Sequence, residues 1–292
     1  KQGFEALAIP HNGNASNGSA AVNQSSGTFI ADANGGIYLQ LGSGLNAYGC
    51  YNLSGGTLSI PNQSGMRIGA TGTGVLLQSG GTLNCSRYFA VGTQTGSGNG
   101  GLGVATFTGG TTSLGAANYK FIVGDKINGV AVVNIGTEAG GSATVTSAST
   151  SSGNGGVDFL DGSGTANGTL NLNSGTLNTI YNIYRANTPS GAGGANFNFN
   201  GGTLQAGGNN NLVSATAPNL NVYKNGAVID SQGFTTAVLS PLLATAGNGI
   251  YPSGGTLTIS SGGGDGYIGA PYVTVSGGSG SNALAIATTS GG

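Results

Sequence analysis

Apolar and polar residues alternate along this chain in short bursts that end at glycine. The recurring unit is a Gly-Gly-Thr-Leu element: Gly55-Gly56-Thr57-Leu58, Gly80-Gly81-Thr82-Leu83, Gly201-Gly202-Thr203-Leu204 and Gly254-Gly255-Thr256-Leu257. Near-copies occur at Gly109-Gly110-Thr111-Thr112 and Ser174-Gly175-Thr176-Leu177. With the second glycine as origin, five positions before it stand Tyr51, Leu76, Ala105, Leu170, Phe197 and Ile250. Three before it stand Leu53, Phe107, Leu172 and Phe199, a column broken by Gln78 and Pro252. Beyond the glycines, Leu58, Leu83, Leu177, Leu204 and Leu257 lie two positions on, and Ile60, Cys85, Leu114, Ala206 and Ile259 four on. A period of two separates the faces of a strand. The leucines are therefore expected to point inward, and Thr57, Thr82, Thr111, Thr176, Thr203 and Thr256 outward.

A further run follows several copies: Met66-Arg67-Ile68-Gly69, Phe89-Ala90-Val91-Gly92, Phe121-Ile122-Val123-Gly124 and Gly266-Tyr267-Ile268-Gly269. It supplies the inward pairs Met66 and Ile68, Phe89 and Val91, and Phe121 and Val123. Successive second glycines are 25, 29, 65, 27 and 53 residues apart, so the short steps read as one turn of a solenoid and the long ones as two or more. The expected fold is all-β: a right-handed parallel β-helix (β-solenoid) of about 10 irregular turns, each with three short strands and glycine at the corners. Residues 1–35 read as an N-terminal cap or imperfect first turn, and residues 36–260 as the solenoid body with corner insertions. Residues 261–292 read as a C-terminal glycine-rich β segment and candidate assembly edge. Gly96–Leu102, Ser147–Gly156 and Tyr184–Gly194 read as excursions from the body, the last because of Pro189. Thr236–Ala246 breaks the alternation and reads as an irregular packed loop, with a short helix or a flap over the core as alternatives.

Composition narrows the function. Glycine supplies 61 of 292 residues without a three-residue period, which excludes collagen. Eight acids and seven bases leave a net charge of -1, so there is neither the charge that keeps a chain disordered nor a basic footprint for nucleic acid. No stretch approaches a membrane span. The opening Lys1-Gln2-Gly3 is the start expected of a mature form or a fragment.

The segments Ser54–Leu58, Ser79–Leu83, Phe199–Leu204 and Asn225-Gly226-Ala227-Val228-Ile229-Asp230, followed by Pro241-Leu242-Leu243, carry a resemblance. At these motifs the chain resembles bacterial autotransporter-associated β-strand repeat proteins, the glycine-rich passengers of large exported proteins. The resemblance implies a parallel β-helix at the cell surface or beyond, acting in adhesion, surface coating or matrix.

Candidate chemistry is sparse. A polysaccharide-cleaving β-helix enzyme needs carboxylates a few ångströms apart, or carboxylates with a base. Of the eight acids only Asp158 and Asp161 are near neighbours in sequence; they read as a solvated turn, with a calcium site or a glycosidase pair as alternatives. Asp125, Lys126 and Lys120 read as a surface cluster, and Arg67 and Arg87 as solvated cations. His11, the sole histidine, has no acid nearby in sequence. Cys50 and Cys85 match no metal spacing and fit either free thiols or a disulfide, Cys85 pointing inward and Cys50 outward.

The expected function is non-catalytic: a secreted structural or adhesive rod, extracellular or at the cell surface, associating with copies of itself side by side or end to end. No catalytic, cofactor or metal residues are assigned, and no cofactor, nucleic acid or direct membrane span is expected. The alternatives are a carbohydrate-binding surface module, favoured if Tyr38, Tyr48, Tyr88, Tyr119 or Tyr181 gather on one side, and a polysaccharide-cleaving enzyme, favoured if Asp158, Asp161 and a base line one groove.

Overall fold

The computed structural model describes residues 6–9, 17–31, 38–62, 64–94, 98–117, 119–149 and 156–244. They form a right-handed parallel β-helix. In the first winding lie β1 (Ala6–Ile9), β2 (Asn17–Gln24) and β3 (Thr28–Ile30); in the second, β4 (Tyr38–Leu41), β5 (Asn46–Leu53) and β6 (Thr57–Ile60). The third holds β7 (Gly65–Ala70), β8 (Thr73–Gln78) and β9 (Thr82–Cys85), and the fourth β10 (Phe89–Thr93), β11 (Leu102–Phe107) and β12 (Thr111–Ala117). The fifth holds β13 (Phe121–Val123), β14 (Val130–Ile135) and β15 (Thr144–Ser149), and the sixth β16 (Val157–Phe159), β17 (Asn167–Leu172) and β18 (Thr176–Thr179). The seventh holds β19 (Ile183–Arg185), β20 (Gly194–Phe199) and β21 (Thr203–Ala206). β22 (Asn219–Val222) and β23 (Val228–Asp230) belong to the eighth, and β24 (Leu242–Ala244) to the ninth.

Every strand pairs in parallel with its counterpart one winding away, giving a seven-stranded first sheet, a nine-stranded second and an eight-stranded third. Single bridges Ile183–Val213 and Val213–Val238 carry the first sheet into the last two windings. At the spacing of hydrogen-bonded strands, nine windings make a rod about 40 Å long.

The columns read from the sequence are the core. Tyr51, Leu76, Ala105, Val133, Leu170, Phe197 and Leu220 stand in one register line, at 0 to 1% exposure throughout. Leu58, Leu83, Leu177 and Leu204 occupy another at 0%. Met66, Phe89 and Phe121 form a third, with Phe89 and Phe121 edge to face at 5.4 Å. The long step between Gly110 and Gly175 contains a complete winding whose third strand, β15, lacks the glycine pair: Thr144 pairs with both Thr111 and Thr176. Leu257, Ile259, Gly266–Gly269, His11 and residues 261–292 lie outside the described residues.

The glycine pair answers two separate demands. The first glycine passes under the preceding winding, where a Cβ on Gly55, Gly80 or Gly109 would stand 2.3, 2.5 or 2.5 Å from the carbonyl oxygen of Ser25, Ser54 or Ser79. The second is left-handed, with φ of 76°, 68° and 79° at Gly56, Gly81 and Gly110.

Two breaks in the columns compensate each other. Gln78 points into the core at 1% exposure, and the next winding replaces the usual leucine by Thr112. Thr112 Oγ1 donates to Gln78 Oε1 at 2.5 Å, while Gln78 Nε2 donates to the carbonyls of Thr111 and Gly81 at 3.1 and 3.4 Å. Gln24 repeats the device: its Nε2 reaches the carbonyls of Thr57 and Gly27, and Tyr51 donates its hydroxyl to Gln24 Oε1 at 2.6 Å. A buried amide is tolerated here because both of its ends are bonded.

Three expected excursions are shorter than the sequence suggests. Leu102 opens β11, Ser147 and Ser149 lie at 0% exposure within β15, and Tyr184 is a residue of β19. Of the segment Thr236–Ala246 the described part, Thr236–Ala244, is neither helix nor flap: Val238 bridges to Val213, and Leu242–Ala244 pairs with β22 as one more winding. Parallel pairing to the strand below supplies the regularity that the local alternation lacks there.

Leu83→Ala is expected to lower unfolding free energy by ~2–5 kcal/mol and Thr82→Ala by no more than ~0.5 kcal/mol in urea titrations. Equal losses would refute the assignment of faces. Gln78→Leu is expected to lose ~1–3 kcal/mol by stranding the Thr112 hydroxyl, and Gln78→Leu with Thr112→Val to recover part of it.

Candidate functional site

The chemistry gathers on the outer side of the first sheet. Gln40, Arg67, Ala90, Ile122, Asp158 and Tyr184 stand in one outward register line, one per winding. Alternation forces this: Leu39 and Leu41, Met66 and Ile68, Phe89 and Val91, Phe121 and Val123, and Val157 and Phe159 all point inward at 0 to 1% exposure, so the residue between each pair points out. Tyr88 and Lys120 enter from the corners just before β10 and β13.

At one end of the line lies an aromatic and cationic group. The Arg67 guanidinium carbon sits 3.8 Å from the Tyr38 ring centroid, and that of Arg87 lies 5.4, 5.7 and 5.4 Å from the rings of Tyr38, Tyr88 and Tyr119. Tyr88 and Tyr119 meet edge to face at 5.0 Å. Gly65 makes room: a Cβ there would stand 2.7 Å from the Tyr38 ring. Among the described residues neither Arg67 nor Arg87 has a carboxylate partner, and both are half-buried against tyrosine rather than freely solvated as expected. Three tyrosines weighed from the sequence thus share a side. Tyr48 lies elsewhere, over Cys50 and Val75 on the second sheet.

At the other end the structure overturns the solvated turn. Asp158 is at 0% exposure; Lys120 Nζ donates to its Oδ2 at 2.8 Å and also to Asp161 Oδ1, and Tyr184 donates its hydroxyl to Asp158 Oδ2 at 2.7 Å. Leu160, at φ 58°, reverses the chain so that Asp161 returns to Lys120, and Asn187 Nδ2 ties the carbonyls of Leu160 and Asp161. Burial, and then the neighbouring Asp161, push the Asp158 carboxyl up to about 8. Asp161 moves the other way: burial opposes its charge, but hydrogen bonds from Asp158 and Lys120 and the lysine charges hold it below the usual carboxylate range. Burial likewise opposes the Lys120 ammonium, yet the two carboxylates outweigh it and raise its pKa. Lys120 therefore belongs to this cluster and not to Asp125, which pairs with Lys126 at 3.2 Å and accepts from Thr93 Oγ1 at 2.6 Å. The ammonium occupies the place a calcium ion would take, and among the described residues no group of three or more His, Cys, Asp or Glu is arranged for a metal.

Asp158, Asp161 and a base do come together. A carboxyl that keeps its proton beside one that has lost it is an acid–base division of labour. Asp158, however, has no accessible surface, and its Oδ2 is committed to Lys120 and Tyr184. The arrangement clamps three windings together.

Both cysteines are buried, and no disulfide joins them. Cys85 points inward as expected, and burial pushes its thiol up to about 12. Cys50 faces outward yet is 1% exposed, packed with Val75 beneath Ala21, Tyr48 and Leu77.

An outward ladder in the second sheet was not anticipated. Asn221, Asn198 and Asn171 each donate Nδ2 to the Oδ1 of the asparagine one winding earlier at 2.9, 2.8 and 2.9 Å, and Asn134 donates to Thr106 Oγ1 at 3.1 Å. Asn171 and Asn198 stand four before the second glycine, a column visible in the sequence; Asn134 is not, because its winding lacks the glycine pair. The pairing of Lys120 with Asp158 and Tyr184 has no sequence signal, its members being 38 and 26 residues apart in its two bonds to Asp158.

The Asp158 carboxyl predicts a pH dependence. Its pKa is raised on folding from 3.8 to about 8, so the folded state retains a proton that the unfolded chain releases. Stability should therefore fall as pH rises between about 4 and 8 and level off above. Asp161, lowered on folding, acts only at the acid edge of that window. Thermal melts of the wild type are expected to decline from pH 5 to pH 8, and those of Asp158→Asn to decline less; parallel profiles would refute it.

Compared with known protein families, with curated proteins and with solved structures, the chain matches none.

Proposed function

We propose that this protein is a non-catalytic rod of an exported surface structure, adhesive or architectural, which associates with copies of itself outside the cell. The observation that carries this reading is the continuity of three parallel sheets, of seven, nine and eight strands, around one dry core. Such a body transmits length and presents a repeating face, and its net charge of -1 opposes little of the approach of a second copy. Among the described residues β24 is the outermost strand of the second sheet, and parallel ladders extend by strand addition. The resemblance to autotransporter-associated repeats supports placement at the bacterial surface. Among the described residues no helix is long and apolar enough to cross a membrane.

The meeting of Asp158, Asp161 and Lys120 favours a second reading, cleavage of an acidic polysaccharide. The burial of Asp158 argues against it, because a general acid must touch the leaving oxygen.

Sedimentation velocity over a wide concentration range is expected to show reversible, concentration-dependent assembly, and a strict monomer throughout would overturn self-association. Incubation with polygalacturonate is expected to release no reducing ends; release that disappears in Asp161→Asn would establish the enzyme instead.

A further inference from the structure

We infer that the corner formed by Tyr38, Arg67, Arg87, Tyr88 and Tyr119 is a binding site for a carboxylated glycan, a chain of uronic-acid sugars lying along the rod. This deepens the adhesive part of the proposed function and rests on it, while standing independently of self-assembly.

Four observations converge. Among the described residues the two cations of the site have no counter-ion: all four ion pairs there involve Lys120, Lys126 or Lys224, and none involves Arg67 or Arg87. In a protein with seven bases and eight acids, two guanidinium groups meeting over one ring, that of Tyr38, concentrate positive charge at one place. A guanidinium laid on an aromatic face keeps its edge N–H groups free for a carboxylate fork.

The rings suit a sugar. Tyr38, Tyr88 and Tyr119 are each half-buried, so part of each remains accessible, and the apolar face of a pyranose packs on such surfaces. Gly65 is what lets Tyr38 lie along the next winding instead of standing off it.

Buried polar atoms at the same corner lack hydrogen-bond partners among the described residues: Arg87 Nε, Ser86 Oγ and Ser64 Oγ. Ser64 is at 1% exposure, and a native protein seldom leaves such groups unsatisfied without reason.

Finally, the spacing is polymeric. Tyr38, Arg67 and the Arg87–Tyr88 pair advance from the second winding towards the fourth, and the ~4.8 Å ladder step is close to the rise of one pyranose in an extended glycan. A chain parallel to the axis would meet a new polar or aromatic group with each sugar. Beyond Tyr119 the line ends at the Lys120–Asp158–Asp161 clamp, whose charges are already paired.

The test is isothermal titration of the full chain with a hexamer of galacturonic acid and with cellohexaose as the neutral probe. The acidic hexamer is expected to bind with an affinity that weakens as salt is raised. Cellohexaose is expected to bind at least ~10-fold more weakly, and Arg67→Gln and Arg87→Gln each to lose ~10-fold or more for the acidic hexamer. Lys224→Gln, at an exposed lysine away from this face, should leave binding unchanged. Thermal melts establish that each variant is folded, and Gly65→Ala, which crowds both the Tyr88 carbonyl and the Tyr38 ring without removing charge, provides a second probe that should also weaken binding. Absence of binding by the folded wild type, equal affinity for both hexamers, or undiminished binding in both arginine variants would each overturn the site. Sedimentation of the same samples separates the two readings. A monomer that binds the hexamer removes the assembling rod but keeps the site, whereas an assembling protein that binds neither hexamer keeps the rod and removes the site.

Discussion

The distance between successive windings governs this molecule. Parallel strands must lie about 4.8 Å apart for their backbone groups to bond, so every residue sits directly over its counterpart, and whatever one winding places at a position the next must accommodate. At the corners the constraint is severe enough that a single methyl group would strike the carbonyl beneath, as at Gly80 over Ser54. Along the strands it is permissive, and any apolar side chain of suitable size serves: Leu53, Phe107, Ile135, Leu172 and Phe199 occupy one column. The glycine pair is conspicuous, and the core residues vary, for the same geometric reason.

The same proximity makes polar residues useful where they would otherwise be a liability. An asparagine above an asparagine always finds a donor opposite an acceptor, so the ladder from Thr106 to Asn221 satisfies itself. Inside the core, Gln78 lies close enough to the next winding to meet Thr112, and two substitutions that each break a column together form a satisfied pair.

On the outer side of the first sheet, proximity collects charge. One end of the line pairs its charges and holds windings together; the other keeps two arginines over tyrosine, with no opposing carboxylate among the described residues. In the first cluster the charges are paired with one another, while in the second the arginines rest on aromatic rings. That contrast, more than the presence of acids and bases, is what the proposed ligand site rests on.

Much of the fold was legible in the chain because a period of two with glycine at the corners specifies a strand's inward residues locally. The inward Leu58, Leu83, Leu177 and Leu204, Cys85, and a step of two or more turns between Gly110 and Gly175 followed from spacing alone; the structure makes that step two. Tertiary structure decided what spacing could not reach. Thr236–Ala244 becomes a winding only because the strand below offers it a ladder, and outward Cys50 is buried only because Tyr48 and Leu77 close over it. Asp158, a solvated carboxylate in the sequence reading, is buried and tied at Oδ2 because Lys120 and Tyr184 arrive from the windings on either side, and burial with the neighbouring Asp161 raises its pKa. Alternation along one strand is a property of neighbours in sequence; which side chains meet across windings depends on the length of every loop between them, and those lengths vary without a local signature.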